Sequence, residues 1–181
     1  MTTTGLTRLA AVVVMTAAGA LTLSAQSQGN RYSATLVPGQ ENPALSRPEP
    51  VQGTITVNID EAAGEISYEL SYANLVDVLQ AHIHFEKPTN NGGIFLWLCK
   101  TAANPGPTPG KTPDCPVGSG SVSGTLLASD VQAITNQRLA AGDFEAAVRQ
   151  IRNGFAYANV HTVVSPGGEI RGQILQGGGH R

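Results

Sequence analysis

The chain has 181 residues, a formal net charge of −2 and only 13% charged residues. That length is enough for one domain with a core of its own. With no Lys/Arg cluster there is no electrostatic footprint for nucleic acid. The low charge fraction excludes an extended disordered chain in spite of 21 glycines.

Residues 1–25 read as a signal peptide. Arg8 is the sole charge there, Leu9 to Leu23 is apolar or small, and Ser24-Ala25 precedes the polar Gln26-Ser27-Gln28. Cleavage is expected after Ala25, which removes Arg8 and leaves a slightly more acidic chain. The alternative is an uncleaved N-terminal anchor. Either way residues 26–176 form the exported domain, secreted or periplasmic, and 177–181 a glycine-rich tail carrying His180. Past the leader, no apolar run approaches the ~20 residues of a membrane span.

The exported region reads mostly as strands of period 2. Tyr32, Ala34 and Leu36 alternate with Ser33 and Thr35. A loop follows Pro38-Gly39. Ile55, Val57 and Ile59 then alternate with Thr54, Thr56 and Asn58. After a turn at Asp60 to Gly64, Ile66, Tyr68, Leu70 and Tyr72 alternate with Glu65, Ser67, Glu69 and Ser71, completing a β-hairpin. Leu79 to Phe85 is a further strand, with Gln80, His82, His84 and Glu86 on its polar face. Ile94 to Cys99 is nearly continuous apolar and reads as a strand buried on both faces. Ser121 to Ala128 is a short strand.

Cys99 and Cys115 flank a segment rich in proline, which cannot form regular structure. In an exported chain they are expected to be bridged, contributing roughly 3 kcal/mol. Ser129 and Gln132 have capping-box spacing, predicting a helix start there. A clearer helix begins at Asp143, with Phe144, Ala147, Val148 and Ile151 as its core stripe and Asn153-Gly154 as its stop. Ala156 to Thr162 returns to strand, with Tyr157, Asn159 and His161 on one face. Glu169 to Leu175 is the last strand, in which Glu169 and Arg171 are read as a structural ion pair.

Residues i and i+2 of a strand share a face, so the rings of His82 and His84 project side by side. His161 joins them if its strand is adjacent. Three imidazoles with an open position suit copper or zinc. Glu86, Asn159, Glu169 and Tyr157 are the candidates to orient the rings. The alternative is a polar cluster in which the histidines only hydrogen-bond one another or a carbonyl. Hydrolase and phosphate-loop motifs are absent, and Glu65 with Glu69 reads as a solvated face rather than a glycosidase pair.

Four motifs in order carry a resemblance. They are Gly39-Gln-Glu-Asn-Pro43, Ala81-His-Ile-His84, Tyr157-Ala-Asn-Val-His-Thr162 and Pro166-Gly-Gly-Glu-Ile-Arg-Gly-Gln173. Together they resemble the CHRD domain, over about residues 31 to 175, with Phe85 where that family usually has Gly. The resemblance implies an all-β, immunoglobulin-like β-sandwich or barrel related to copper/zinc superoxide dismutase, here with a short helical insertion. It implies no settled activity. Three histidines outside the tail supply no second metal site of the dismutase kind. The chain is therefore read as a binder of a copper or zinc ion, not an enzyme. The alternatives are an extracellular adhesion or interaction module, with a protein partner and structural histidines, and a copper-dependent redox enzyme.

Overall fold

A computed structural model describes residues 1, 30–47, 50–107 and 111–177. The expected leader, apart from Met1, and residues 178–181 of the tail, His180 included, lie outside the described residues.

Among the described residues, nine strands and one α-helix follow in chain order: β1 (Arg31–Leu36), β2 (Gln52–Asp60), β3 (Glu65–Ala73), β4 (Val78–Phe85), β5 (Gly93–Cys99), β6 (Gly120–Leu126), α1 (Phe144–Arg152), β7 (Ala156–Thr162), β8 (Ile170–Gln173) and β9 (Leu175–Gln176). They build two antiparallel sheets, in the orders β6-β3-β2-β1-β9 and β5-β4-β7-β8. The protein is an all-β sandwich.

The β2–β3 hairpin shows why. Its register sets Ile55 opposite Leu70, Val57 opposite Tyr68 and Ile59 opposite Ile66, all buried. Each large apolar side chain buried this way contributes about 1.5–3 kcal/mol. The turn is held by Asp60, whose Oδ1 accepts from the Ala63 N–H at 3.0 Å, and Gly64 takes the left-handed conformation at φ +69°. Helix α1 begins where Asp143 Oδ1 accepts from the Ala146 N–H at 2.9 Å. It buries Ala147, Val148 and Ile151 in the core.

The last strand does not run straight. At Ile174 the chain leaves the second sheet, and β9 pairs with β1 in the first. The Val37 N–H donates to the Arg171 carbonyl at 3.0 Å, and the reverse bond is 3.3 Å. This stitches the two sheets along one edge. The capping-box expectation is corrected: residues 128–130 form one 3-10 turn, in which Asp130 Oδ2, not Ser129, takes the Leu127 N–H at 2.9 Å. Strand β5 is not interior either. It is a sheet edge, and Ile94 and Trp97 stay partly exposed. The Gln132 N–H caps its Phe95 carbonyl at 2.9 Å, so a following loop covers the edge.

The polar face of the second sheet is roofed. Asn42 Nδ2 donates to the Thr89 carbonyl at 2.6 Å, and Asn91 Nδ2 to the Asn42 carbonyl at 2.9 Å. Arg47 pairs with Glu169 at 2.9 Å. The loops around residues 41–47, 87–92 and 163–169 thus close over the face that carries the histidines.

Candidate metal centre

β4 and β7 are neighbours, with Gln80 opposite His161 and His82 opposite Asn159. That register brings the three histidines together. One ring nitrogen from each lies within 4.8 Å of the others. His82 is 0% exposed, His84 7% and His161 6%. The nearest approach is His82 Nδ1 to His161 Nε2, 3.3 Å.

Backbone carbonyls fix two of the tautomers. A carbonyl oxygen only accepts, so His84 Nδ1 donates to Gly92 (2.9 Å) and His161 Nδ1 to Pro166 (2.9 Å). In the neutral rings both Nε2 atoms therefore carry lone pairs. Neither His82 Nε2 nor His84 Nε2 has a hydrogen-bond partner, although both atoms are buried. A buried polar atom left so costs about 1–3 kcal/mol.

Burial keeps the cluster uncharged. Desolvation, then the neighbouring His161 and His84, push the His82 imidazole down to about 2. Desolvation takes His84 to about 4 against the Gly92 carbonyl, which favours the charged form. Desolvation also lowers His161. Metal ligation requires the neutral imidazole, and these rings are already in that form.

The surroundings differ in part from the sequence reading. Asn159 is at the site, its Oδ1 3.0 Å from His161 Nε2. Tyr157 stacks on His84, centroids 4.8 Å apart and planes 6° from parallel, and its hydroxyl accepts from the Gly92 N–H at 3.3 Å. Glu86 instead contacts Gln137 at 3.4 Å. Glu169 is wholly buried, bonding Thr162 Oγ1 and pairing with Arg47. It does not pair with Arg171, whose guanidinium reaches Asn91 Oδ1 at 3.0 Å and the Asn90 carbonyl at 2.8 Å. Cys99 and Cys115 form a disulfide.

A family model described as the CHRD domain matches residues 32–174. The chain belongs to the CHRD domain family. No curated protein and no solved structure matches it. Family and disulfide fit an extracellular domain. No helix among the described residues is long and apolar enough to cross a membrane.

Within this CHRD domain, sequence reading missed three residues that shape the site. Glu41 is buried beside Asn159, and burial lifts its carboxyl to about 7 against the pull of Arg171. Trp97 lies edge-on to His82, centroids 4.2 Å apart. Gly92 orients His84. Glu41 stands inside a family motif, where a buried role had no signal of its own. For Trp97 the signal was its register partner, which only the paired strands reveal.

Proposed function

We propose that this CHRD domain is exported by its leader and acts by binding one copper or zinc ion through His82, His84 and His161. One observation carries the reading: ring nitrogens of three buried imidazoles converge within 4.8 Å, while carbonyls hold the protons on the far side of His84 and His161 and leave the buried His84 Nε2 lone pair without a partner. First-row divalent ions favour such donors. The separations support it as well. Around an ion bonded at 2.0–2.1 Å, neighbouring donors stand about 2.9–3.4 Å apart; His82 Nδ1 and His161 Nε2 are at 3.3 Å, and the set as a whole, within 4.8 Å, would draw together on binding. The described residues hold one such group, so the reading is of a single ion.

The test is calorimetric titration with Cu(II) and Zn(II). One ion should bind, and His82→Ala or His161→Ala should weaken binding by about 100-fold or more. Equal affinity in the variants refutes the site. A second reading, an interaction module with structural histidines, draws support from the Gly92 and Pro166 bonds, which tie two loops to the sheet. It predicts that the metal-free variants unfold and that the parent protein binds no ion.

A further inference from the structure

Asn159 lies on β7 between Tyr157 and His161 and is 3% exposed. Its Oδ1 is 3.0 Å from His161 Nε2. The His161 proton is on Nδ1, engaged with the Pro166 carbonyl. Two lone pairs therefore face each other with no proton between them, which is repulsive unless a cation shares them. Turning the amide over would relieve His161, but it would aim the amide oxygen at Glu41. The amide nitrogen and Glu41 Oε1, a buried oxygen with no hydrogen-bond partner, line the same space beside Gly168, and an ionised carboxylate there suits the amide nitrogen, not the amide oxygen.

The backbone makes room for this pair. Gly168 has φ +126°, and a Cβ there would come within 2.5 Å of Glu41 Oε1 and 2.7 Å of Asn159 Nδ2. Only glycine leaves the carboxylate and the amide side by side. The 3.0 Å separation falls inside the donor-to-donor range of about 2.9–3.4 Å around a first-row divalent ion.

We propose that the Asn159 amide oxygen is the fourth donor of this site, aimed there by Glu41, so that the cation is held in a closed set of three nitrogens and one oxygen. This rests on the reading of the three histidines as ligands. A closed set of four is the mark of sites that hold an ion, whereas catalytic sites keep a position open to water or substrate. The domain thus retains its ion rather than working with it. Asn159 is the ligand, and Glu41, acting through it, is a positioning residue.

The experiment uses the full chain loaded with Co(II), whose visible spectrum reports coordination, with azide as the probe of an open position. The parent spectrum should not respond to azide. Asn159→Ala should gain an azide-dependent change. The double variant Glu41→Gln with Asn159→Asp, which reverses the hydrogen bond but keeps an oxygen toward the ion, should regain the parent's indifference. If Asn159→Ala does not fold, Gly168→Ala, which removes no donor, must show the same gain. Azide perturbing the parent and Asn159→Ala alike, or neither, overturns the fourth donor. A parent protein that takes up no Co(II) refutes the histidine site itself, a distinguishable failure.

Discussion

The guanidinium carbon of Arg171 lies 3.4 Å from the centroid of the Tyr157 ring. Tyr157 in turn stacks on His84, so cation, phenol and imidazole are linked through one ring. A desolvated contact of this kind contributes about 2 kcal/mol. Arg171 does more than cover the ring. Its bonds to Asn90 and Asn91 anchor the loop whose Gly92 carbonyl orients His84.

Arg171→Met should therefore lower stability and loosen the site together. Removing the charge leaves oxygens of Asn90 and Asn91 without their donor, a loss of about 3 kcal/mol. The urea midpoint should fall with an unchanged m-value. Zinc affinity should also drop, by about tenfold. Full affinity in a destabilised variant would separate the loop from the site.

Acid should destabilise the metal-free protein. Folding holds His82 near 2 and His84 near 4, whereas unfolded histidine titrates at 6.5. Below pH 6.5 the unfolded chain binds more protons, so stability present above that pH is lost as pH falls toward 4. His161 acts in the same direction. Glu41 opposes them, because its folded carboxyl holds a proton up to about 7 against 4.5 unfolded. The net loss is roughly 2 kcal/mol per pH unit between pH 6 and 5. Thermal unfolding across that range should show it, and a flat profile would mean that the rings are protonated in the fold.

The Cys99–Cys115 bridge closes a span of 16 residues. Replacing both cysteines by serine should cost about 3 kcal/mol by relaxing the unfolded chain. A thiol assay on the unfolded, unreduced protein should find no free thiol. Two reactive thiols would remove the bridge from the account.

Trp97 is the chain's one tryptophan and touches His82. Its emission should be quenched when Cu(II) binds, because a paramagnetic ion beside His82 drains the excited indole. Zn(II), with a filled d shell, should bind without quenching, and a chelator that strips the Cu(II) should restore the signal. Trp97→Phe should leave binding within about threefold, since the indole donates to neither ion. Undiminished emission at saturating Cu(II) would put the ion elsewhere.

How much was legible varies by element. The β2–β3 hairpin was readable because alternation of Ile55, Val57 and Ile59 with threonines and Asn58 has one physical meaning in a half-buried strand. Asp143 announced α1 through its cap. The burial of His82 and His84 was not readable. A polar strand face looks the same under water or under a roof, and this roof comes from loops distant in sequence, around Glu41, Asn91 and Glu169. Strand β5 misled in the other direction: its continuous apolar run suggested an interior strand, yet it is an edge under a loop. Ser129 misled because capping-box spacing also fits one 3-10 turn, in which Asp130 supplies the oxygen. Arg171 lies in β8 and Glu169 just before it, and each found its partner in a different loop.

The ring nitrogens of His82 and His161 come from positions 79 residues apart. Glu41 stands well before the first of them, and Gly168 beyond the second. No stretch of the chain holds the whole pocket: His82 and His84 share one strand, but His161 comes from another. A polypeptide threaded N-terminus first through a translocation pore cannot offer an ion the complete site until almost its whole length has emerged. On the proposed reading of an exported, ion-binding domain, the ion is drawn from the compartment of arrival, so delivery, more than intrinsic affinity, selects the element.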